Sequence, residues 1–598
     1  MPTFFSLKLI DLAAIVGYFA AVMALGFWVS RRVKNETDFF LGGRKFGKGL
    51  LVMHWLCTGT HSDMAVQVAG ASARVGLGGI WYQWMWLFST PFYWLIAPVT
   101  RRLRVITTGD FFRIRYGRGL EMMYSLVALA YVALSIALLL RGAGAAISGA
   151  TGGEIPTEQS VIVLSILFST YIMAGGLVAA AYTDFLQGLL IIVLSVLLVP
   201  AGLSLVGGLA GLHQSLDAGM FAITAPAGAK EGNVAFVIAM SILGLVGIVA
   251  QPHVMSATGS GKTETEARVG MCYGNFIKRL LTIAWAFTGL IALTQFPDVL
   301  ADAAPGGAAD ASETLFGRAI REFLPDGWRG LMIACLIAGV TSAEAIMVVA
   351  SAIFTRNFYA HLARDKSGRH YLWVGRLASA AMLAFSVWLA FYAASVTVLF
   401  VTSVQVIGLL GPAFWLGVTW RRANALGVWA SFVGGVLLWT LMSLDPGTLA
   451  QVPVLRDVGT WLIGIGDVSG LRAWPEPAQI LLRLAVQFGL LFVVSLATPA
   501  PPASRLDPFF ARLLTPVGRE DEVRLETAGG TLAESATLGM EGVLLDYHKA
   551  CKFAYQPLRR LGIEIPRMTW FDCAGFVAAW VLVGGLIVLL LWLARLGA

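Results

Sequence analysis

Apolar residues run along this chain in stretches of about twenty, divided by short polar gaps, and the rhythm holds from Leu9 to Leu593. A helix needs roughly that many residues to cross a bilayer. The pattern predicts about fourteen spans: Leu9–Trp28, Leu50–Ala73, Leu77–Val99, Leu120–Ser148, Val161–Ala181, Phe185–Val206, Val234–Ala250, Phe276–Phe296, Gly330–Phe354, Leu372–Ala394, Val396–Trp420, Leu426–Leu444, Ile480–Ala497 and Trp570–Leu593. The alternation expected of barrel strands, polar against apolar over about ten positions, does not occur. An all-α integral membrane protein follows.

Composition agrees, since 57% of the 598 residues are hydrophobic and 13% charged, against about a quarter charged in soluble domains. The net charge of +8 sits in short loops rather than on one polar face, which argues against nucleic acid. Alternate gaps are basic: Arg31, Arg32, Lys34, Arg44, Lys45 and Lys48, then Arg101, Arg102, Arg104, Arg113, Arg115 and Arg118, later Arg356, Arg364, Lys366 and Arg369. The positive-inside rule places these in the cytoplasm and both termini outside. Cys57, Cys272, Cys335, Cys551 and Cys573 show no paired spacing, so neither disulfide nor metal site is expected. The first span lacks a cleavage site after it and reads as a retained helix. The expected place is the cell (inner) membrane.

The polar stretch 501–567, lying between the last two spans, carries the charged cluster Arg519, Glu520, Asp521, Glu522 and Arg524. It reads as a small cytoplasmic subdomain, too short for a fused kinase or ATPase.

Chemistry is scarce, and most of it lies inside the apolar spans. Ser256–Thr263 has a superficial look of a phosphate-binding loop, but Ser256 stands where that loop needs Gly and no strand precedes it, so no nucleotide is expected. Ionisable groups within a span are costly, and Asp63, Arg141, Asp184 and Glu344 are candidates on that ground, with structural ion pairing between helices as the alternative for each. Asp63 follows Thr58-Gly-Thr-His-Ser62, a polar interruption suited to an unwound helix whose freed carbonyls could hold a cation. Helical spacing puts Ala338, Thr341 and Ser342 on one face, which offers a carbonyl and two hydroxyls to Na⁺ or simply a close-packing stripe.

These segments resemble the sodium:solute symporter family. Thr37–Arg44, Gly175–Gln187, Gly247–His253 and Ile353–Tyr359 match its stretches in order over nearly the whole chain up to the tail. The resemblance implies two inverted five-helix repeats, here in 50–206 and 207–420, with broken helices at mid-membrane and a second interruption near Gly244 and Gly247. Residues 1–49 would precede the repeats, 421–500 would add further helices, and 568–598 would form the last one. It also implies sodium ligands at the carbonyls of Cys57, Thr60 and Ala338 and the hydroxyls of Thr341 and Ser342, with Asp184 and Asp63 along the ion path. Gln83 stands where sugar-carrying members have Glu, and Arg141 and Glu344 are added charges expected at the solute site.

The expected function is secondary active symport: Na⁺ moves inward with a small organic solute, without covalent chemistry and without a cofactor. Arg141 favours a carboxylate-bearing solute such as an amino acid; a neutral sugar is the alternative. A solute sensor signalling through 501–567, or a proton-coupled carrier using Asp63 or Glu344, also fits the residues.

Overall fold

The computed structural model describes residues 3–4, 7–30, 44–105, 107–171, 176–226, 229, 231–301, 308–341, 344–359, 363, 366–443, 473–524 and 545–598. Helix dominates, as it must where a bilayer offers the backbone no hydrogen-bond partners. A two-stranded hairpin, β1 (Thr3–Phe4) and β2 (Leu7–Lys8), leads into α1 (Leu9–Ser30). The next predicted span is divided into α2 (Lys48–Thr58) and α3 (Ser62–Val75). After short turns at Gly76–Ile80 and Trp81–Trp84 come α4 (Thr90–Leu103), α5 (Thr108–Tyr116), α6 (Arg118–Ala150), α7 (Thr157–Tyr171) and α8 (Gly176–Leu205). The second half holds α9 (Val234–Ile248), α10 (Pro252–Gly259), α11 (Glu264–Gln295), α12 (Leu315–Phe323), α13 (Trp328–Thr341) and α14 (Glu344–Ile353). Then follow α15 (Gly368–Tyr392), α16 (Val396–Gly408), α17 (Gly411–Thr419), α18 (Ala425–Ser443), α19 (Glu476–Ala497), α20 (Ala503–Leu514) and α21 (Trp570–Arg595).

Among the described residues, 8 helices are long and apolar enough to cross a membrane, or 9 if the bent pair α9 and α10 is one span. Hydropathy reads through a break in each of two predicted spans. One lies at Gly59–His61. The other comes at Val249–Gln251, where the chain turns by 60°, because Pro252 removes a donor and holds Gln251 extended. Gly244 and Gly247, expected to mark that break, instead sit inside α9 and let Trp86 and Gly408 pack close.

α11 runs through the middle of the bundle against α2, α3 and α4. Its glycines permit the approach: a Cβ on Gly274 would lie 2.7 Å from the Val52 carbonyl oxygen, and one on Gly289 would lie 2.2 Å from that of Ala69. Outward faces are apolar, with Val193, Val196, Trp388, Val577 and Val581 exposed, a surface suited to lipid.

The basic loops gather at one end. Phe46 pairs with Gly261 in an isolated parallel bridge, Arg101 Nε donates to the Gly261 carbonyl at 3.1 Å, and Arg102 grips Glu264 through two bonds of 2.9 Å. Arg104 adopts a left-handed backbone (φ 57°), uncommon for a residue with a Cβ, and its guanidinium meets Glu520 at 2.5 Å. α20 buries Phe509 and Phe510 beneath this end, beside Arg115. Arg421, in the α17–α18 turn, binds Asp507 at 2.6 Å and stacks on Tyr547 at 4.6 Å. Backbone bonds Arg421 N–H to Gly562 O (2.9 Å) and Glu564 N–H to Thr419 O (2.7 Å) complete the clasp. α21 then docks on α4: Gly575 lies against Trp94, where a Cβ would come within 2.1 Å, and Asp572 pairs with Arg268 at 2.5 Å.

Candidate functional site

The break at Gly59–His61 is the centre of the site. α2 ends as Gly59 and Thr60 both donate backwards to the Cys57 carbonyl, and α3 restarts at Ser62. Glycine and short polar side chains favour such an ending, since they compete with helical backbone bonds. The hydroxyls of Thr60 and Ser62 and one carboxylate oxygen of Asp63 are buried without a hydrogen-bond partner among the described residues. Buried polar atoms are nearly always paired. Three orphans in four residues therefore mark a place built for a polar guest.

α13 meets this break. A Cβ on Gly339 would lie 3.5 Å from the Ser62 nitrogen and 3.6 Å from Gln187 Nε2, and that amide nitrogen is also unpartnered. Ala338 is buried beside it. The backbone of α13 thus reaches the break where α3 restarts. The hard hydroxyl oxygens suit Na⁺ by chemistry. The side chain of Thr341, all of Ser342 and the side chain of Glu344 lie outside the described residues.

Asp184, on α8, receives a hydrogen bond from buried His54 Nδ1 at 2.9 Å, and its carbonyl accepts the Cys57 thiol at 2.9 Å. It ties α8 to the helix end just before the break. His54 was not among the sequence candidates, although it lies one helical turn ahead of Thr58.

Beside the break lies a cavity of about 90 Å³, lined among others by Trp55, His61, Asp63, Trp86, Tyr93, Tyr131, Gln251, His253, Asn275, Lys278, Arg279 and Phe400. Asp63 interacts electrostatically with Lys278, and a Cβ on Gly59 would sit 3.4 Å from Lys278 Nζ. Trp86 packs edge-on to Phe400 at 5.6 Å. Its ring faces Lys278 Nζ at 5.7 Å and the Arg279 guanidinium at 5.6 Å. Trp86 therefore lines the cavity. The arrangement can hold hydroxyl groups through amides and phenols, and charge through Asp63, Lys278 and Arg279.

Two expected solute residues stand elsewhere. Gln83 is buried and donates to Gln67 Oε1 at 3.1 Å, away from the cavity wall. Arg141 faces a separate outer cavity of about 370 Å³ with Glu158, Asp298, Asp310, Glu313 and Arg318. There it pairs with Asp310 and, at 3.3 Å, with Glu313, and donates to the Ala390 carbonyl at 3.0 Å. Glu313 in turn accepts from the Val396 backbone. Arg141 is thus occupied in joining α6 to the α15–α16 turn, and the central cations are Lys278 and Arg279. Sequence reading missed both because they adjoin the start of a predicted span and look like its basic flank. The Thr263–Glu266 capping box was the available signal that the helix begins much earlier.

Residues 39–435 match the sodium:solute symporter family. Sodium/myo-inositol cotransporter 2 of Bos taurus is 26% identical over 469 residues, covering 72% of this chain and 69% of its own. Sodium/glucose cotransporter 2 of Rattus norvegicus is 27% identical over 474 residues, covering 72% and 70%. Among solved structures, a substrate-bound outward-open Na⁺-coupled sialic acid symporter superposes with a TM-score of 0.64 at 17% identity, over 82% of this chain and 99% of that one, a likeness of fold.

Proposed function

We propose that this chain, which belongs to the sodium:solute symporter family, carries Na⁺ inward together with a small polyhydroxylated solute. As a member it is a multi-pass integral membrane protein of a family of sodium-coupled transporters. The observation that carries the reading is the broken second span, whose Thr60 and Ser62 hydroxyls have no hydrogen-bond partner among the described residues and whose restart at Ser62 meets α13 at Gly339. In this reading Na⁺ takes the Cys57, Thr60 and Ala338 carbonyls with Thr341 and Ser342, and the solute occupies the cavity next to Asp63. Sharing one broken helix is what couples them: each guest orders the segment that the other needs.

The fold reading is two inverted five-helix repeats, with the basic end and its clasp in the cytoplasm. The relatives named for inositol and glucose, and a cavity rich in amides, phenols and aromatic faces, support a polyhydroxylated solute over the amino acid expected from Arg141. That side chain is engaged at the outer cavity.

Na⁺ stabilisation tests the coupling ion directly, because a ligand of the folded state raises its melting temperature by mass action. Purified protein should melt higher in Na⁺ than in K⁺ at equal ionic strength, and Thr341→Ala with Ser342→Ala should reduce the gain. Equal melting in both salts, with uptake into proteoliposomes driven by a pH gradient alone, would overturn sodium coupling.

A further inference from the structure

Arg279 is a buried charge with no carboxylate within ion-pair distance among the described residues. It is 1% exposed, and its Nε and Nη1 donate to nothing among the described residues. Its backbone is fixed, since Trp84 Nε1 donates to its carbonyl at 3.1 Å. The side chain reaches the Tyr93 hydroxyl, another cavity residue, and lies over Trp86 at 5.6 Å.

The charges around it do not balance. Among the described residues lining the cavity, the cations are Lys278 and Arg279 and the carboxylate is Asp63. Asp63 is the electrostatic partner of Lys278, which leaves the guanidinium without an acid. A buried charge is tolerated when paired and hydrogen-bonded, and penalised otherwise. The missing partner is one that arrives from outside and leaves again.

Resting on the symport reading above, we propose that the solute is a polyhydroxylated carboxylic acid, of the hexuronate or aldonate class, whose carboxylate is received by Arg279. A guanidinium offers planar N–H groups matched to carboxylate oxygens. Gln251, Asn275, Tyr93 and Tyr131 on the remaining walls supply the mix of donors and acceptors that hydroxyls need. The aromatic faces of Trp86 and Phe400 cover the C–H side of such a solute.

The test uses the protein in nanodiscs with saturating Na⁺, read by the change in intrinsic tryptophan fluorescence, to which Trp55 and Trp86 at the cavity contribute. The probes are D-glucuronate, D-gluconate, D-glucose and myo-inositol. At least one acid should half-saturate the signal at a concentration tenfold or more below either neutral compound. Arg279→Gln should raise that concentration at least tenfold, change the neutral compounds less than twofold, and leave the Na⁺-induced rise in melting temperature intact. Arg279→Lys should recover part of the loss. Neutral compounds binding as tightly as the acids, silence toward all four probes, or an Arg279→Gln protein that folds and binds acid normally would overturn the proposal. Should Arg279→Gln fail to fold, the wild-type comparison of acid with neutral decides it. Na⁺-specific melting of the same wild-type samples reports separately on the symport reading.

Discussion

Gly142 offers the sharpest perturbation of the site from a distance. It lies on α6 against the restart of the broken span, and a Cβ there would sit 2.4 Å from Asp63 Cα, 2.6 Å from its Cβ and 3.0 Å from its nitrogen. Carbon atoms rest about 3.5–4.0 Å apart, so Gly142→Ala must open the contact by more than about 1 Å. The opposing atoms are backbone rather than the end of a flexible side chain, and the first turn of α3 must therefore move. Overpacking of this kind costs about 1–3 kcal/mol, partly offset by about 1 kcal/mol of helix propensity gained over glycine. A net loss of about 0–2 kcal/mol follows, with a rise in half-saturating Na⁺ of up to roughly tenfold, tenfold being about 1.4 kcal/mol. Melting in graded Na⁺ and Na⁺-driven uptake measure the two effects. Gly489→Ala, where nothing lies within 4 Å of the added carbon, is the control and should be neutral or slightly stabilising. Wild-type melting and sodium dependence in Gly142→Ala would refute the claim that α6 sets the position of the break.

Asp63→Asn should destabilise the protein by removing the carboxylate that interacts electrostatically with Lys278; Lys278→Met added to it should cost less than the sum, with a coupling of about 0.5–3 kcal/mol in a melting-based double-mutant cycle. Arg421→Ala removes the Asp507 pair and the Tyr547 stack; a loss of about 1–2 kcal/mol and faster proteolysis between 503 and 567 are expected, and unchanged proteolysis would mean that other contacts hold the clasp. Hydrogen bonds from Arg519 and then Lys552 hold the Glu522 carboxyl at about 2, below the ordinary 4.5. Its contribution is therefore complete above about pH 4.5 and lost as pH falls toward 2, so pepsin should nick the tail faster across that window in wild type, and Glu522→Gln should flatten the dependence.

The break at Gly59–His61 was legible because glycine, hydroxyls and an acid interrupt an otherwise apolar run, and each of those residues disfavours uninterrupted helix for a local reason. Asp184 was legible as a charge that hydropathy cannot explain. Arg141 was equally visible, but its direction was not: its partners Asp310 and Glu313 come from a loop far along the chain, and spacing along one helix says nothing about which loop folds over it. Lys278 failed differently. Counting from Glu264 it lies about 20 Å along α11, deep in the bundle, whereas counting from the apolar run at Phe276 places it at a membrane surface. Close approaches such as Gly142 on Asp63 depend on two helices meeting, and no periodicity in either one records them.

The late position of α21 sets an order of assembly. α4 leaves the ribosome more than 450 residues before α21, so at about 5–20 residues per second the Trp94 face of α4 stands in the membrane for roughly half a minute to a minute and a half. Lipid tails are as apolar as the helix that eventually covers it, so the wait carries little risk of aggregation. Arg268 fares worse, since its close partner Asp572 belongs to that same late helix. The insertion of α21 is thus drawn into place by a charge already waiting at the basic end: until Asp572 arrives, the acid beside Arg268 is Glu264 at 3.9 Å on its own helix, and the docking of α21 adds a much shorter pair as well as an apolar contact.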